Sequence, residues 1–238
     1  MRIAVMSDIH GFDLALETVL ADIDAQGPFD EVVAAGDFCE VGPAPAEVLD
    51  LLRSRGVSAV QGNADLDLVA AARDGTTDAA FAFAVEQIGA AGVEFLAALP
   101  FAHRVTPPGR RSPDDDLLVV HANPHNQSDK LDPALSDVQL RRIIGDARMG
   151  AIAFGHIHVC YMRRLDSVLL ADVSAVGNPK DGDLRCKYGI LTWDDTNRTW
   201  RAEFRKLDYP LEATLAQIAA SGLPDPDKVM RKLIRASY

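Results

Sequence analysis

The chain has 238 residues, 48% of them hydrophobic and 25% charged, with a formal net charge of −11. Those proportions describe a water-soluble globular protein large enough for a substantial core, with apolar runs that fall short of a membrane span. The acidic excess disfavours a broad track for long nucleic acid, and the scattered Cys39, Cys160 and Cys186 argue against a disulfide framework or a cysteine-paired zinc knuckle.

Met1 to Met6 runs straight into Ser7-Asp8 with no secretory pattern, so a cytoplasmic location is expected. Arg2 to Met6 predicts a strand, the loop Ser7-Asp8-Ile9-His10-Gly11 follows, and Leu14, Leu16, Val19, Leu20 and Ile23 recur at helical spacing up to Gly27-Pro28. Glu31 to Ala35 predicts a second strand stopping at Gly36-Asp37. Past Pro43 and Pro45, Ala46 to Arg53 predicts a short helix, and Val57 to Val60 a third strand that stops at Gly62-Asn63-Ala64-Asp65. Leu66 to about Leu99 reads as two helices separated by Asp74-Gly75-Thr76-Thr77, and Val105 to Asp116 as a loop or hairpin tip. Leu117 to Val120 is a strand ending at His121, Ser136 to Ile144 a capped helix, and Ala151 to Phe154 a strand ending at Gly155-His156-Ile157-His158. Beyond it Val168–Leu170, Gly189–Trp193 and Thr199–Phe204 follow one another without helices, which predicts an antiparallel sheet; Glu212–Ala220 and Pro226–Arg235 are closing helices. No repeat, low-complexity tract or linker interrupts the chain, so one domain over residues 1–238 is expected, with two packed sheets and helices on both outsides.

Five of these strands end in residues that ligate metals. In α/β sheets the loops past the carboxyl ends of the strands share a rim, which would gather Asp8, His10, Asp37, Asn63, His121, His156 and His158. Any one of these alone is ordinary, since Asp-x-His or Gly-Asp at a strand end usually caps a helix or a turn, and two histidines after a buried strand can be plain polar residues. The series carries the signal, because four of the chain's six histidines follow strand ends. Two carboxylates against the four charges of two divalent cations would leave a pocket of roughly +2, suited to a phosphate. Mixed imidazole and carboxylate donors suit Mn²⁺, Fe, Co²⁺, Ni²⁺ or Zn²⁺. Two such ions about 4 Å apart can generate hydroxide at neutral pH and clamp attacking and leaving oxygens.

Asp8-Ile9-His10, Gly36-Asp37, Gly62-Asn63-Ala64-Asp65, His121 and Gly155-His156-Ile157-His158 resemble, in order, the motifs of the calcineurin-like metallophosphoesterase superfamily. The match extends to about Asp183, and Val173-Ser174-Ala175-Val176-Gly177-Asn178-Pro179 is similar to a stretch of its small single-domain prokaryotic branch. The resemblance implies a four-layer αββα sandwich of two mixed sheets, and two divalent ions with Mn²⁺ foremost. It implies that Asp8, His10 and His158 hold one ion, that Asn63, His121 and His156 hold the other, and that Asp37 bridges them. A bridging hydroxide would attack phosphorus in line, which gives Asp37, Asn63 and His156 catalytic roles. The family commonly carries histidine after its asparagine ligand, whereas this chain has Ala64. Alanine supplies no proton to a leaving oxygen, so phosphodiesters and activated aryl esters are expected to be favoured over alkyl monoesters.

Weaker candidates are His125 and Asn126, in the loop past His121, and Lys180, after Pro179, as substrate contacts, with Asp65 behind the ligands. For each, a solvated loop or turn residue is the plainer alternative. His103 and Cys39 read as structural. A metal-binding scaffold that recognises a partner without turnover is a second functional expectation. A metal-dependent amidohydrolase is a third, weakened because its paired histidines would come on the first strand. The expected partner is a small phosphoester; composition leaves oligomeric state, native metals and physiological substrate open.

Overall fold

Alternation within a few short strands decides the layering. The computed structural model describes residues 1–237. In β1 (Arg2–Met6), Ile3 and Val5 enter a core shared between two sheets, while Ala4 and Met6 enter a second core under helices. The pattern repeats in β5 (Leu117–Val120) and β6 (Ala151–Phe154): Leu117, Val119, Ala151 and Ala153 face the other sheet, and Leu118, Val120, Ile152 and Phe154 face away from it. Strands buried on both faces need cover on both faces, which yields four layers, αββα.

The first sheet runs β10 (Thr199–Leu207), β9 (Cys186–Asp194), β1, β2 (Glu31–Ala34), β3 (Ser58–Ala59); β1, β2 and β3 are mutually parallel and β9 is antiparallel to both neighbours. The second runs β4 (Ala102–Val105), β5, β6, β8 (Val168–Asp172), β7 (Tyr161–Leu165), with β5, β6 and β8 parallel and β4 and β7 antiparallel at the edges. Both sheets are therefore mixed. Over the first lie α1 (Asp13–Gln26), α2 (Pro45–Ser54), α3 (Asn63–Asp74), α4 (Ala79–Ala98), α6 (Leu211–Ala220) and α7 (Pro226–Arg235), burying Leu16, Val48, Leu68, Ala84, Ile218 and Leu233. Over the second lies α5 (Asp137–Ile144), burying Leu140 and Ile144.

Three expectations are corrected. Val168–Leu170 does not join β9 and β10: β8 pairs parallel with β6 in the other sheet, buried on both faces, because β7 carries the chain back before it. The edge strands β4 and β7 are missing from the sequence-based element list; each has polar residues at exposed positions, the usual dress of an edge, and so lacks an apolar run. Finally, Ala79–Ala98 does have the length and mean hydropathy, 1.4, of a membrane span, the one such helix among the described residues. Its backbone leaves helical geometry at Gly89 (φ 60°, ψ −176°), and Glu86 and Glu94 interrupt it, so neither straight half has a span's length.

Candidate metal centre

The loops that leave β1, β2, β5 and β6, with the first turn of α3, bring the predicted donors together from both sheets. Five of the seven have a left-handed backbone: Asp8 (φ 52°), His10 (52°), Asp37 (58°), His156 (69°) and His158 (57°). Each such residue costs about 1 kcal/mol or more, with aspartate and histidine among the side chains that enter the region most readily. These five are among eleven described non-glycine residues with positive φ. Two glycines make the close packing possible. At Gly36 (φ +93°) a Cβ would stand 2.6 Å from the Gly62 nitrogen and 2.9 Å from His121 Nδ1, and at Gly62 it would overlap the Asp37 carboxylate.

Around Asp8 Oδ1 stand His158 Nε2 at 3.1 Å and His10 Nε2 at 3.7 Å, and those two nitrogens are 3.3 Å apart. Asp37 Oδ2 lies 3.8 Å from His10 Nε2 and 3.4 Å from His121 Nε2, which is 2.9 Å from Asn63 Oδ1. Ligand atoms of Asp8, His10 and His158 form one compact cluster and those of Asp8, Asp37 and His121 another, so Asp8 belongs to both. His156 stands beside them, its ring 5.1 Å from that of His121 and edge-on to it.

Backbone carbonyls aim the rings. His10 Nδ1 meets the Glu40 carbonyl at 3.1 Å, His121 Nδ1 the Ala35 carbonyl at 2.8 Å, and His158 Nδ1 the Asn178 carbonyl in a short contact. A ring donating through Nδ1 presents a bare lone pair at Nε2. In His156 the roles reverse, with Nε2 on the Ser128 carbonyl at 2.9 Å and Nδ1 left as the acceptor. Asp8 Oδ1 is buried without a hydrogen-bond partner among the described residues. A carboxylate oxygen facing two imidazole lone pairs is repulsive unless a proton or a metal cation sits among them, and a donor set of this kind fits divalent metal.

The electrostatics of the chain alone agree. Burial would raise Asp8, but His158, His10 and His121 hold it well below the usual carboxylate range, and His121 and His10 likewise outweigh burial at Asp37. Burial would lower His121, yet the charge and hydrogen bond of Asp37, with Asp8, push it up to about 10. Protons on imidazoles thus neutralise the buried carboxylates where metal would. His156 goes the other way, lowered by burial and by its neighbour His121.

Asp65 supports this centre from behind. Its carboxylate accepts the amides of Asp37, Phe38 and Gly62, all at 2.9 Å, clasping the β2 loop to the end of β3. Ala64 is buried, and its amide donates to Asp37 Oδ1 at 2.8 Å. His125 and Asn126 are not brought to the centre: His125 Nε2 bonds the Ile144 carbonyl at the end of α5, and Asn126 Oδ1 accepts the amides of Ser128 and Asp129 inside its own turn. The sequence missed what that loop does contribute, the Ser128 carbonyl. Lys180 lies alongside, its amide 3.2 Å from the His158 carbonyl. His103 pairs with Glu31 at 2.8 Å on β4, and Cys39 is buried, burial pushing its thiol well up, so both are structural.

Residues 1–196 match the calcineurin-like phosphoesterase superfamily domain. This chain belongs to that superfamily. The superfamily fold is matched over nearly the full length by a metallophosphoesterase from Sphaerobacter thermophilus, 25% identical, covering 99% of both chains with a TM-score of 0.77. A hypothetical protein from Pyrococcus horikoshii OT3, 16% identical, covers 99% of this chain and 98% of its own with a TM-score of 0.82, a likeness of fold. An uncharacterized protein of Methanocaldococcus jannaschii is 24% identical across 94% of each chain. As a calcineurin-like phosphoesterase, the chain has residue clusters suited to divalent metal where the two sheets' strands end.

Proposed function

We propose that the chain is a two-metal-dependent phosphoester hydrolase that prefers phosphodiesters and activated aryl esters to alkyl monoesters. The observation that carries this is the buried Asp8 carboxylate, whose Oδ1 faces His158 and His10 without a hydrogen bond and which belongs to both clusters of donors that the chain's two sheets bring together. Asp8, His10 and His158 would hold one ion and Asn63, His121 and His156 the other, with Asp37 between them; Mn²⁺ is the first choice, and Fe, Zn²⁺, Ni²⁺ or Co²⁺ suit the same donors. When bound, such ions supply Lewis acidity toward the phosphoryl oxygens and acidify water to near-neutral pKa.

The chain's own residues set the selectivity. Asp37 is locked by the Ala64 amide on Oδ1, so its Oδ2 stays fixed between His10 and His121. The side chain of Ala64 is a methyl group where a proton donor would serve, so a leaving oxygen departs unassisted from that side. Loss of a general acid costs about 10²- to 10⁴-fold, and the loss falls hardest on basic leaving groups such as alkoxides. The net charge of −11 favours small esters over long nucleic acid as substrates.

The test is metal analysis of the purified protein, followed by Mn²⁺-supplemented assays on bis(p-nitrophenyl) phosphate, p-nitrophenyl phosphate and an alkyl monoester beside Asp37→Asn. Aryl-diester turnover that falls about 10³-fold or more in Asp37→Asn supports the proposal. Ion uptake without turnover of any ester assigns the chain instead to the scaffold class, and failure to take up divalent ions overturns both.

A further inference from the structure

Beside the metal centre, a cavity of about 240 Å³ is lined by His10, Glu40, Val41, Asn178, Lys180 and Lys232. It continues, through the shared Glu40, Val41 and Lys232, into a second cavity of about 480 Å³ bounded by the start of α4 and by α7, where Leu223, Pro224 and Val229 give an apolar lining. Together they form a groove that begins at a proposed ligand and leads away from it. Two lysines flank its inner end in a chain that carries eleven more acidic than basic charges.

The segments that carry the two lysines come from different parts of the fold and are tied together. The segment that carries Lys180 is pinned to the centre by the Asn178 carbonyl on His158 Nδ1 and by its own amide on the His158 carbonyl. Next to it, the fully buried Lys187 ammonium donates to Asp181 Oδ1 at 3.0 Å and to the carbonyls of Asp183 and Arg185 at 2.7 and 3.1 Å, which fixes the following turn. Lys232 comes from α7, one helical turn from Lys228 and on the same face, and both line the groove. The Gly182 amide bonds the Ala236 carbonyl at 2.9 Å, tying the Lys180 turn to the end of α7. Lys180 and Lys232 both line the smaller cavity beside His10. Against these, Glu40 is the single acid in the smaller cavity.

We propose that Lys180 and Lys232 form a second anion subsite, so that the preferred substrate is a small organic phosphoester with two neighbouring phosphoryl groups, its organic part lying along α7. The inference rests on the phosphoesterase reading for the position of the first phosphoryl group. A cavity of 240 Å³ has room for a phosphoryl group and its water, at about 30 Å³ per water. Two ammonium groups from separate anchored segments can reach one phosphate as point charges, the mode in which lysine binds phosphate. Glu40, in the lining of the same cavity, repels an anion, but the two lysines outnumber it and the ions would add further positive charge at the inner end.

Equilibrium binding of inorganic orthophosphate and pyrophosphate, in saturating Mn²⁺, measures the subsite without turnover. Pyrophosphate is expected to bind at least about tenfold more tightly than orthophosphate. Lys180→Ala and Lys232→Ala are each expected to cut that ratio about fivefold or more, Lys232→Arg to keep most of it, and Arg201→Ala, an exposed charge change on β10, to leave it as it is. A ratio near one in the unaltered chain, or a ratio that the two alanine variants do not move more than Arg201→Ala does, overturns the proposal. Because binding is read apart from hydrolysis, a chain that turns over aryl diesters but fails this test loses the subsite and keeps the phosphoesterase function; a chain that binds with the expected ratio but hydrolyses nothing keeps the subsite and loses the activity.

Discussion

Removing the Asp65 carboxylate should damage both stability and the metal centre, and the size of the effect follows from its surroundings. Asp65 is fully buried in the first turn of α3 and accepts three backbone amides at 2.9 Å, one on Oδ1 and two on Oδ2. Hydrogen bonds to a charged acceptor contribute about 1.5–3 kcal/mol each. Against them stands the cost of keeping the charge: burial, with the nearby charge of Asp37, lifts the carboxyl from 3.8 to about 6 despite those amides, which corresponds to about 3 kcal/mol. Asp65→Ala therefore should cost about 2–6 kcal/mol near pH 7, measured by urea denaturation.

The pH dependence has a definite sign. Between about pH 4 and 6 the folded chain retains a proton that the unfolded chain has released, so this group makes stability fall as pH rises through that window and adds no slope above it. Asp65→Ala lacks that slope, and its deficit relative to the unaltered chain should be larger at pH 4 than at pH 7. Asp65→Asn sets an amide NH₂ against at least one backbone N–H and should lose about 1–3 kcal/mol. Since the Asp37 and Phe38 amides bond Asp65, both variants should also bind Mn²⁺ more weakly. A loss under 1 kcal/mol for Asp65→Ala, with unaltered ion uptake, would refute the clasp.

Gly62→Ala, whose Cβ would overlap the Asp37 carboxylate, should cost about 1–3 kcal/mol and weaken ion binding, checked by thermal melts and by metal content after dialysis. Ala64→His should raise turnover of alkyl esters at least about tenfold relative to aryl esters by returning a proton donor, and steady-state kinetics showing no change in that ratio would count against the selectivity argument. Asp172, buried at the end of β8 with Oδ2 partnerless among the described residues, is pushed well above the usual carboxylate range by burial, so Asp172→Asn should gain in melting temperature on the unaltered chain as pH rises above about 4. Because His121 sits at about 10 in the metal-free chain, ion uptake must displace its proton, and apparent Mn²⁺ affinity should rise about tenfold per pH unit for each proton displaced between about pH 6 and 9; a flat profile in calorimetric titrations is the contrary result.

Much of the centre was legible because its donors are side chains with few other reasons to follow a strand. Glycine–aspartate, glycine–asparagine and histidine pairs at successive strand ends survive as a pattern even where their elements are short, as with β3, which has two residues. Strands were legible where both faces are buried, although β8 was expected in the wrong sheet because its pairing is not written in its apolar run, and β4 and β7 were missed, where one face is wet and that run disappears. The partners of the histidines were not legible, since Glu40, Ser128 and Asn178 act through carbonyl oxygens that any residue carries. His125 misled for a related reason: its distance from His121 along the chain is short, but the turn built on Asn123, whose Oδ1 accepts the amides of His125 and Asn126, carries it toward α5.

Those same carbonyls and cross-loop bonds explain how left-handed aspartates and histidines persist at the centre. The Asp8 amide donates to the Gly36 carbonyl at 3.0 Å and the His10 amide to the Asp37 carbonyl at 2.9 Å, while the Asp8 carbonyl accepts the Gly177 amide and its Oδ2 the His156 amide. Loops of the first sheet are in this way bonded to each other and to the loops after β6 and β8. The conformational cost at each ligand, about 1 kcal/mol, is offset by bonds whose partners lie in other loops, so no single loop could hold its ligand in isolation. The geometry of the centre is accordingly a property of the two packed sheets, which is why its residues are scattered from position 8 to position 158 and why a local disturbance at Gly62 or Asp65 should be felt at Asp37.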